Sequence, residues 1–352
     1  MNPPARFEYR QGIKTSHSPR RKISDKEAKR FRLAILASVL VLLCRTLLFG
    51  GGRGATPPLA QLVDVDTSEQ HAYDKAKTIL DDSQEELLKA LPELRGLEPA
   101  QSQKELPEIL GRVGANIDAL LDGFPNLVSR EEVTQQVIRI DRLGSVQTKR
   151  LVPFTYMILT HESGQVVHLE EYRTDAKGDR AEPQALEAEF SLTKGFATIW
   201  TLFSPGNRSS AEFKLLGYGE LEGHKTDVVA FAQRPGWATV FGRVNANGTS
   251  IVILYQGIAW IDSVTYQILQ MRTDMLAPRW EVGLRRQTTQ VDFGEVRLPK
   301  VATTLWLPQT VVVTTSLNNE ILRNQHRYTD YRLFRVESTV KPVESGQAVP
   351  QN

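Results

Sequence analysis

The sequence predicts an α+β protein that is mainly antiparallel β, preceded by a membrane segment and a pair of helices. Three observations predict this class. Val, Thr, Tyr, Phe and Ile become frequent after about Val128, and these residues favour strands. About ten strand candidates are joined by short turns, which is typical of a meander and not of βαβ units. Helical spacing of apolar residues is confined to residues 66–122 and to one segment within the β region.

The N-terminal region indicates export. Residues 1–32 hold ten Lys or Arg and three acids, a net charge of +7, and the apolar run Leu33–Phe49 follows directly. Positive charge keeps that flank in the cytoplasm, so the sequence predicts an envelope protein with a periplasmic domain. The run is either a signal peptide that is cleaved, which releases the protein to the periplasm, or an inner-membrane anchor that contains Arg45. The length of the basic leader favours the anchor.

Charge and cysteine content exclude several classes of site from the exported part. Without the leader the chain holds 33 basic and 38 acidic residues, a net charge of −5. The overall pI of 8.5 therefore does not indicate a nucleic-acid partner. The single cysteine, Cys44, lies in the apolar run, so no disulfide or thiolate metal site is expected beyond it.

Composition divides the chain into six segments. They are a basic leader (1–32), a signal peptide or membrane anchor (33–49), a Gly/Pro-rich linker (50–65), a helical pair (66–123), an antiparallel domain (124–338) and a polar, disordered tail (339–352). Thr67 and Gln70 fit a capping box for the first helix, which continues to Leu91. The second helix is predicted to begin near Pro107 and to stop at Gly123.

The strand candidates begin with a hairpin over residues 154–174 that turns at His161–Gly164. The others are Glu212–Leu221, Lys225–Gln233, Thr249–Ile261, Gln267–Thr273, Arg285–Val296, Lys300–Leu305, Thr310–Leu317 and Arg323–Val336. Charged residues on these strands are expected on a solvated outer face. Arg173 is one of them. The adjacent acids Glu131-Glu132 and Glu170-Glu171 point to opposite faces of a strand and cannot form a catalytic pair, so they are expected to be solvated strand charges.

One segment within the β region has helical spacing. Phe196, Trp200 and Phe203 recur at this spacing, and such a helix is expected to lay its apolar face on the concave side of the sheet. Together with Trp260, these residues are the candidate lining of an apolar cavity for a ligand. Packing in a filled core is the alternative interpretation of the same aromatic residues.

No motif in the sequence indicates catalysis or a metal. His161-Glu162 lacks the second histidine of a zinc-protease motif, and a pair such as His161 and His168 in one hairpin is more often a surface feature than a metal site. Glu222, His224 and Asp227 form an acid–base group that a turn before a strand explains equally well. The expectation is a protein that is not an enzyme and uses no metal or cofactor.

From Phe124 to about Val336 the order of motifs resembles a known family. The motifs are Phe124–Val133, Gly195–Pro205, Tyr255–Asp262 and Leu307-Pro308 before a last strand. The chain is similar to exported proteins of an acidobacterial type, whose β domain resembles the half-barrel of periplasmic lipoprotein carriers and lipoprotein receptors. This resemblance implies an open, unclosed antiparallel barrel with helices on its concave face and a cavity for a lipid or lipoprotein acyl chain. It implies no catalytic residue.

Two functions are compatible with these features. The first is an exported or membrane-anchored envelope protein that binds an apolar ligand, a lipid or a lipoprotein acyl chain, without catalysis. The alternative is a structural or interaction protein of the envelope with a filled β core. In that case residues 66–122 would dock a protein partner.

Overall fold

A computed structural model describes residues 73, 75–141, 144–163, 166–181, 193, 195–238, 240, 242–246 and 249–334. All of them belong to the unit Leu59–Asn352. The predicted leader, membrane segment, linker and tail lie outside the described residues. In the part of the chain that the structure describes, no helix combines the length and the apolar character needed to cross a membrane.

Eleven strands form one sheet in the order β1-β5-β6-β9-β10-β11-β12-β13-β2-β3-β4, and every neighbouring pair is antiparallel. The strands are β1 Glu98–Pro99, β2 Leu127–Asp141, β3 Gly144–Ser163, β4 Val166–Thr174, β5 Ala211–Leu221, β6 His224–Gln233, β9 Tyr255–Asp262, β10 Ile268–Met275, β11 Leu284–Val296, β12 Leu305–Leu317 and β13 Glu320–Leu333. The order ends at β1 and at β4, so the sheet is unclosed, and the prediction of a mainly antiparallel fold is confirmed.

A separate two-stranded sheet is formed by β7 Gly242–Ala246 and β8 Thr249–Ile253. Two of the strand predictions are wrong. Thr249–Ile261 is not one strand, because the chain changes sheets at Leu254, whose side chain is fully buried and whose carbonyl accepts the amide of Leu276. Residues 300–304 form a loop in which Lys300 has a φ of 72°, a left-handed conformation that ends strand pairing before β12.

Among the described residues, the α-helices α1 Gln84–Ala90 and α2 Leu106–Leu121 precede the long strands. The second carries Pro107 in its first turn, as predicted. The first is shorter than predicted, because its capping box is made by Ser83 and Glu86, each side chain bonding the other residue's amide. Just upstream, the carboxylate of Asp81 accepts both the amide and the hydroxyl of Thr78, and this local pairing competes with a helix. The predicted cap, Thr67, lies outside the described residues.

The two helices lie on opposite faces of the sheet. Ile109 of α2 packs in one apolar cluster with Phe231, whereas Leu87 of α1 packs in another with Ala230, the neighbouring residue on β6. We call these surfaces the α2 face and the α1 face. The sequence predicted this helical pair ahead of the sheet and assigned it to neither face. Because β6 is buried on both sides from Thr226 to Gln233, each side needs its own cover.

Residues 195–207, which we call the strap, cross the α2 face. The predicted helix here is only a 3-10 helix over Ile199–Phe203, which begins after a turn where Gly195 has a φ of 98°. The hydroxyl of Thr201 donates to the carbonyl of Thr198 at 2.5 Å, an alternative to regular helix bonding. The periodicity was misleading because apolar residues lie on all sides of this segment, and four of the five are buried.

Candidate functional site

The α2 face is an apolar layer with the strap at its centre. The buried residues of α2, among them Val113 and Ile117, form a continuous cluster with the strap and with side chains of nine strands of the sheet. Gly114 makes the close approach possible, because a Cβ at this position would lie 3.2 Å from the ring of Pro205. The strap is thus packed between α2 and the sheet.

Three of the four residues predicted for the cavity lie together in this layer. Phe196, Trp200 and Phe203 all belong to the α2-face cluster, and each is at most 4% exposed. Trp260 does not join them. It packs on the α1 face with Leu91, because successive residues of β9 point to opposite sides of the sheet. The prediction that Trp260 lines the same cavity is therefore wrong.

A cleft opens between α2, the strap and the turn after β9. Its lining includes Val113, Ile117 and Trp200, together with Phe293 and Trp306 from the sheet. The free volume is about 20 Å³, which is room for about one water molecule. In this conformation the side chains of the strap fill the space between α2 and the sheet.

The α2 face also contains a buried ionic network that the sequence analysis missed. Arg173 donates two hydrogen bonds to the carboxylate of Glu131, at 2.5 and 2.9 Å. The same carboxylate accepts the Tyr328 hydroxyl at 2.8 Å, and Nδ1 of His326 lies 2.7 Å from it. None of these four side chains is more than 5% exposed. The prediction that Glu131 and Arg173 are solvated is wrong.

This network keeps its charges in an apolar setting. Burial alone would raise the pKa of Glu131, but the charge of Arg173 and the hydrogen bond from His326 lower that pKa to about 2. Burial lowers the pKa of His326, and Glu131 only partly opposes this effect. The network is therefore an ion pair of Glu131 and Arg173 with a neutral histidine beside it at pH 7.

The network and Glu171 hold the strap to the sheet. Glu171 is 6% exposed and accepts the backbone amides of Gly195 at 2.9 Å and Ala197 at 2.7 Å. Arg173 donates to the carbonyl of Thr193 at 2.8 Å, and its guanidinium lies 5.7 Å from the ring centre of Phe196. These bonds join side chains of β4 to backbone, so no strand pairing depends on them.

A signal for these buried charges was present in the sequence. Glu131 has the same strand phase as Leu127 and Val133, and Glu171 and Arg173 have the phase of Leu169. The phase predicts that these charges face the core. This signal was easy to miss, because Glu131 and Glu171 each have an adjacent acid, Glu132 and Glu170, that does point outward.

The other polar groups that the sequence singled out lie at or near the turn after β9. His224 Nδ1 lies 2.8 Å from Asp262, and Asp227 accepts the Ser263 hydroxyl at 3.1 Å. Asp262 also accepts the amide of Thr265, so this group closes the turn after β9. Across the described residues, no group of three His, Cys, Asp or Glu side chains could hold a metal ion.

A second pocket lies on the α1 face, between α1 and β5. Its free volume is about 170 Å³, larger than that of the α2-face cleft. Leucines form much of its lining, from Leu87 and Leu94 on one side to Leu215 and Leu216 on the other. This pocket is the rival position for an apolar ligand.

No protein-family model and no curated protein matches this sequence. Among solved structures, the chain is similar to a DUF1329 family protein from Desulfovibrio piger, at 9% identity over 66% of this chain and 94% of that chain, with a TM-score of 0.34. It is also similar to a putative outer membrane lipoprotein-sorting protein domain from Vibrio parahaemolyticus, at 11% identity over 64% and 91% of the two chains, with a TM-score of 0.29. A LolA superfamily protein from Nitrosomonas europaea matches at 10% identity over 66% and 94%, with a TM-score of 0.25.

At TM-scores of 0.34 and below, these structures identify neither a ligand nor a partner for this chain.

Proposed function

We propose that this chain is an envelope protein that binds an apolar ligand, a lipid or the acyl chain of a lipoprotein, without catalysing a reaction. The ligand would lie on the α2 face, between the sheet and the layer made by α2 and the strap. Phe196, Trp200 and Phe203 would be its neighbours. The observation that carries this proposal is the way in which the strap is attached.

The polar bonds that attach the strap to β4 are separate from the strand pairing of the sheet. Two polar anchors join this part of the chain to β4: Glu171 accepts the amides of Gly195 and Ala197, and Arg173 donates to the carbonyl of Thr193, just before the strap. Displacing it breaks these few bonds and leaves all strand pairing intact. An acyl chain would then cover the apolar surface that the strap had covered.

Burial of the ligand offsets the free energy lost when the strap side chains leave the sheet. Each buried methylene contributes about 0.8 kcal/mol, so an acyl chain of ordinary length offsets the loss of several buried side chains. A ligand with no apolar chain offers no such compensation. The site therefore favours long-chain amphiphiles over small polar molecules.

The alternative, an interaction protein with a filled core, is favoured by one observation. The α2-face cleft has only about 20 Å³ of free volume, so side chains fill the layer in this conformation. In that case α1 and α2 would contact a protein partner through their outer surfaces. The two functions differ in whether a lipid accompanies the protein.

The proposed location is the envelope, with residues 33–49 as an inner-membrane anchor and residues 73–334 in the periplasm. The basic leader and the apolar run support this orientation. Cleavage after the run would give a periplasmic protein with the same ligand site.

Native mass spectrometry of the full chain, purified from bacterial membranes in mild detergent and followed by organic extraction, tests the proposal. The expected result is a bound lipid or acylated peptide, or uptake of added fatty acid or phospholipid with a shift in mass. A protein that carries no lipid and takes up neither compound would contradict it and favour the interaction protein.

A further inference from the structure

The α1-face pocket offers space for a second, smaller ligand. Its free volume is about 170 Å³, and six leucines belong to its lining, among them Leu87, Leu88 and Leu216. The side chains of a protein core normally pack without leaving a void of this size. An apolar cavity of about 150 Å³ is enough to bind benzene, so this space accommodates an apolar group of about six carbons.

One wall of this pocket is formed by hydrogen-bonded backbone. The short strand β1 pairs with β5 beside the pocket. Gly217 of β5 allows this close approach, because a Cβ at its position would overlap the carbonyl oxygen of Glu98. Beyond β1, the side-chain amide of Gln103 donates to the carbonyl of Leu215 at 2.9 Å and accepts the amide of Leu215 at 2.8 Å. The polar atoms of Gln103 are therefore already bonded to the sheet.

Lys214 is a charged residue of the lining, and its side chain is half-buried. Its ammonium group donates to the carbonyl of Leu80 at 2.8 Å, and an ammonium group has three N–H donors. The described acids close to it are bonded to other groups. Asp81 accepts hydrogen bonds within its own turn, and Asp82, which also lines the pocket, pairs with Lys77 at 2.7 Å. The other donors of Lys214 can therefore bind an anion at the pocket.

The leucines and the lysine together favour one ligand chemistry. A space lined by leucines stabilises a hydrocarbon chain through burial, and an ammonium group binds a carboxylate through charge-assisted hydrogen bonds. A neutral alcohol of the same length would lack the charge. A long acyl chain would extend out of the space into solvent. The pocket is therefore suited to a carboxylate with a short apolar chain.

We propose that the α1-face pocket binds a short-chain carboxylate, with the carboxylate on Lys214 and a chain of about six carbons among the leucines. This site lies on the opposite side of the sheet from the ligand proposed for the α2 face. The inference depends on neither that ligand nor the membrane segment.

Photochemical labelling of the full chain tests this site. The protein is kept soluble in an amphipathic polymer, so that no detergent competes, and is irradiated with a pentanoate that carries a diazirine on its chain. Digestion and mass spectrometry then locate the adducts. We expect adducts at Leu88 and Leu216, which hexanoate removes and which hexanol at the same concentration does not.

Variants separate the role of the charge from that of the space. Lys214→Met should lower labelling at Leu216 on the order of tenfold, the effect of losing a hydrogen bond to a charged group, whereas Lys214→Arg should retain most of it. Leu88→Phe should also lower this labelling, because the larger ring occupies the space. The matched control is Lys225→Met, at an exposed lysine on the neighbouring strand β6, and it should be labelled like the wild type.

Equal competition by hexanol and hexanoate overturns the proposal, and this comparison needs only the wild type, so it decides even if a variant fails to fold. Labelling at Leu216 that is as strong in Lys214→Met as in the wild type also overturns it, as does the absence of any adduct that hexanoate removes. If the adducts are confined to α2 and the strap, short acids bind on the α2 face, and the pocket site is overturned while the proposed function stands.

Discussion

Glu131 illustrates how a single buried residue can affect the stability of the whole α2 face. Its carboxylate has no solvent exposure and is bonded by Arg173, His326 and Tyr328. A buried charge of this kind is stable only with its partners, and removing one partner of such a pair commonly costs about 3–5 kcal/mol. The network thus links side chains of three strands, β2, β4 and β13. A fourth strand, β3, contributes the ring of Tyr156, which lies under the guanidinium of Arg173.

We expect the free energy of unfolding to decrease in two separate ranges as the pH is lowered. The pKa of His326 is below 6.5 in the folded state, so the unfolded chain binds the proton first and stability declines as the pH falls through 6.5. The pKa of Glu131 is about 2 when folded against 4.5 in the reference state. Its contribution is full above pH 4.5 and is lost as the pH falls towards 2.

Urea unfolding across this pH range measures the effect. Glu132→Gln, a change at the neighbouring and more exposed carboxylate, should leave the profile unchanged. Glu131→Gln should lower stability at pH 7 and flatten the part below pH 4.5. A wild-type profile that is flat from pH 6.5 down to 3 would show that the network is not ionised as described.

At the scale of elements, the carboxylate of Glu171 holds the first residues of the strap. Glu171 accepts hydrogen bonds from two backbone amides of the strap, those of Gly195 and Ala197. A glutamine at this position keeps one acceptor oxygen and turns an N–H group towards the second amide. The sheet itself makes no use of these bonds.

We therefore expect Glu171→Gln to loosen the strap and leave the sheet intact. Hydrogen exchange at Gly195 and Ala197 should accelerate on the order of tenfold to a hundredfold, the effect of losing a hydrogen bond to a charged acceptor. Glu170→Gln, on the opposite side of the same strand and partly exposed, is the matched control. Equal acceleration in both variants, or loss of protection throughout β3 and β4, would contradict the anchoring role.

The elements that the sequence predicted well are those with one buried side. The β3–β4 hairpin and α2 follow the expected periods because polar residues mark their outer surfaces. The predictions for Trp260 and for the strap were wrong for the opposite reason. Their neighbours are apolar on every side, so periodicity could not assign Trp260 to a face or distinguish a 3-10 segment from a helix.

At the scale of the whole molecule, the long sheet has two covered faces with different character. The α2 face combines a large apolar layer with the ionic network of Glu131, and its cleft has little free volume. The α1 face has a smaller apolar cluster around Trp260 and a larger pocket beside Leu216. This two-sided arrangement could not be read from the sequence, because it depends on which helix covers which face of β6 and β9.

The central claim is that an apolar chain binds on the α2 face, and photochemical cross-linking tests it most directly. The full chain is mixed with a fatty acid that carries a diazirine on its acyl chain, irradiated, digested and mapped by mass spectrometry. The account predicts adducts on α2 and the strap, at residues such as Ile117, Trp200 and Phe203, and fewer adducts when unlabelled fatty acid competes. Adducts confined to the α1-face pocket, at Leu88 or Leu216, or no competed adduct at all, would contradict it.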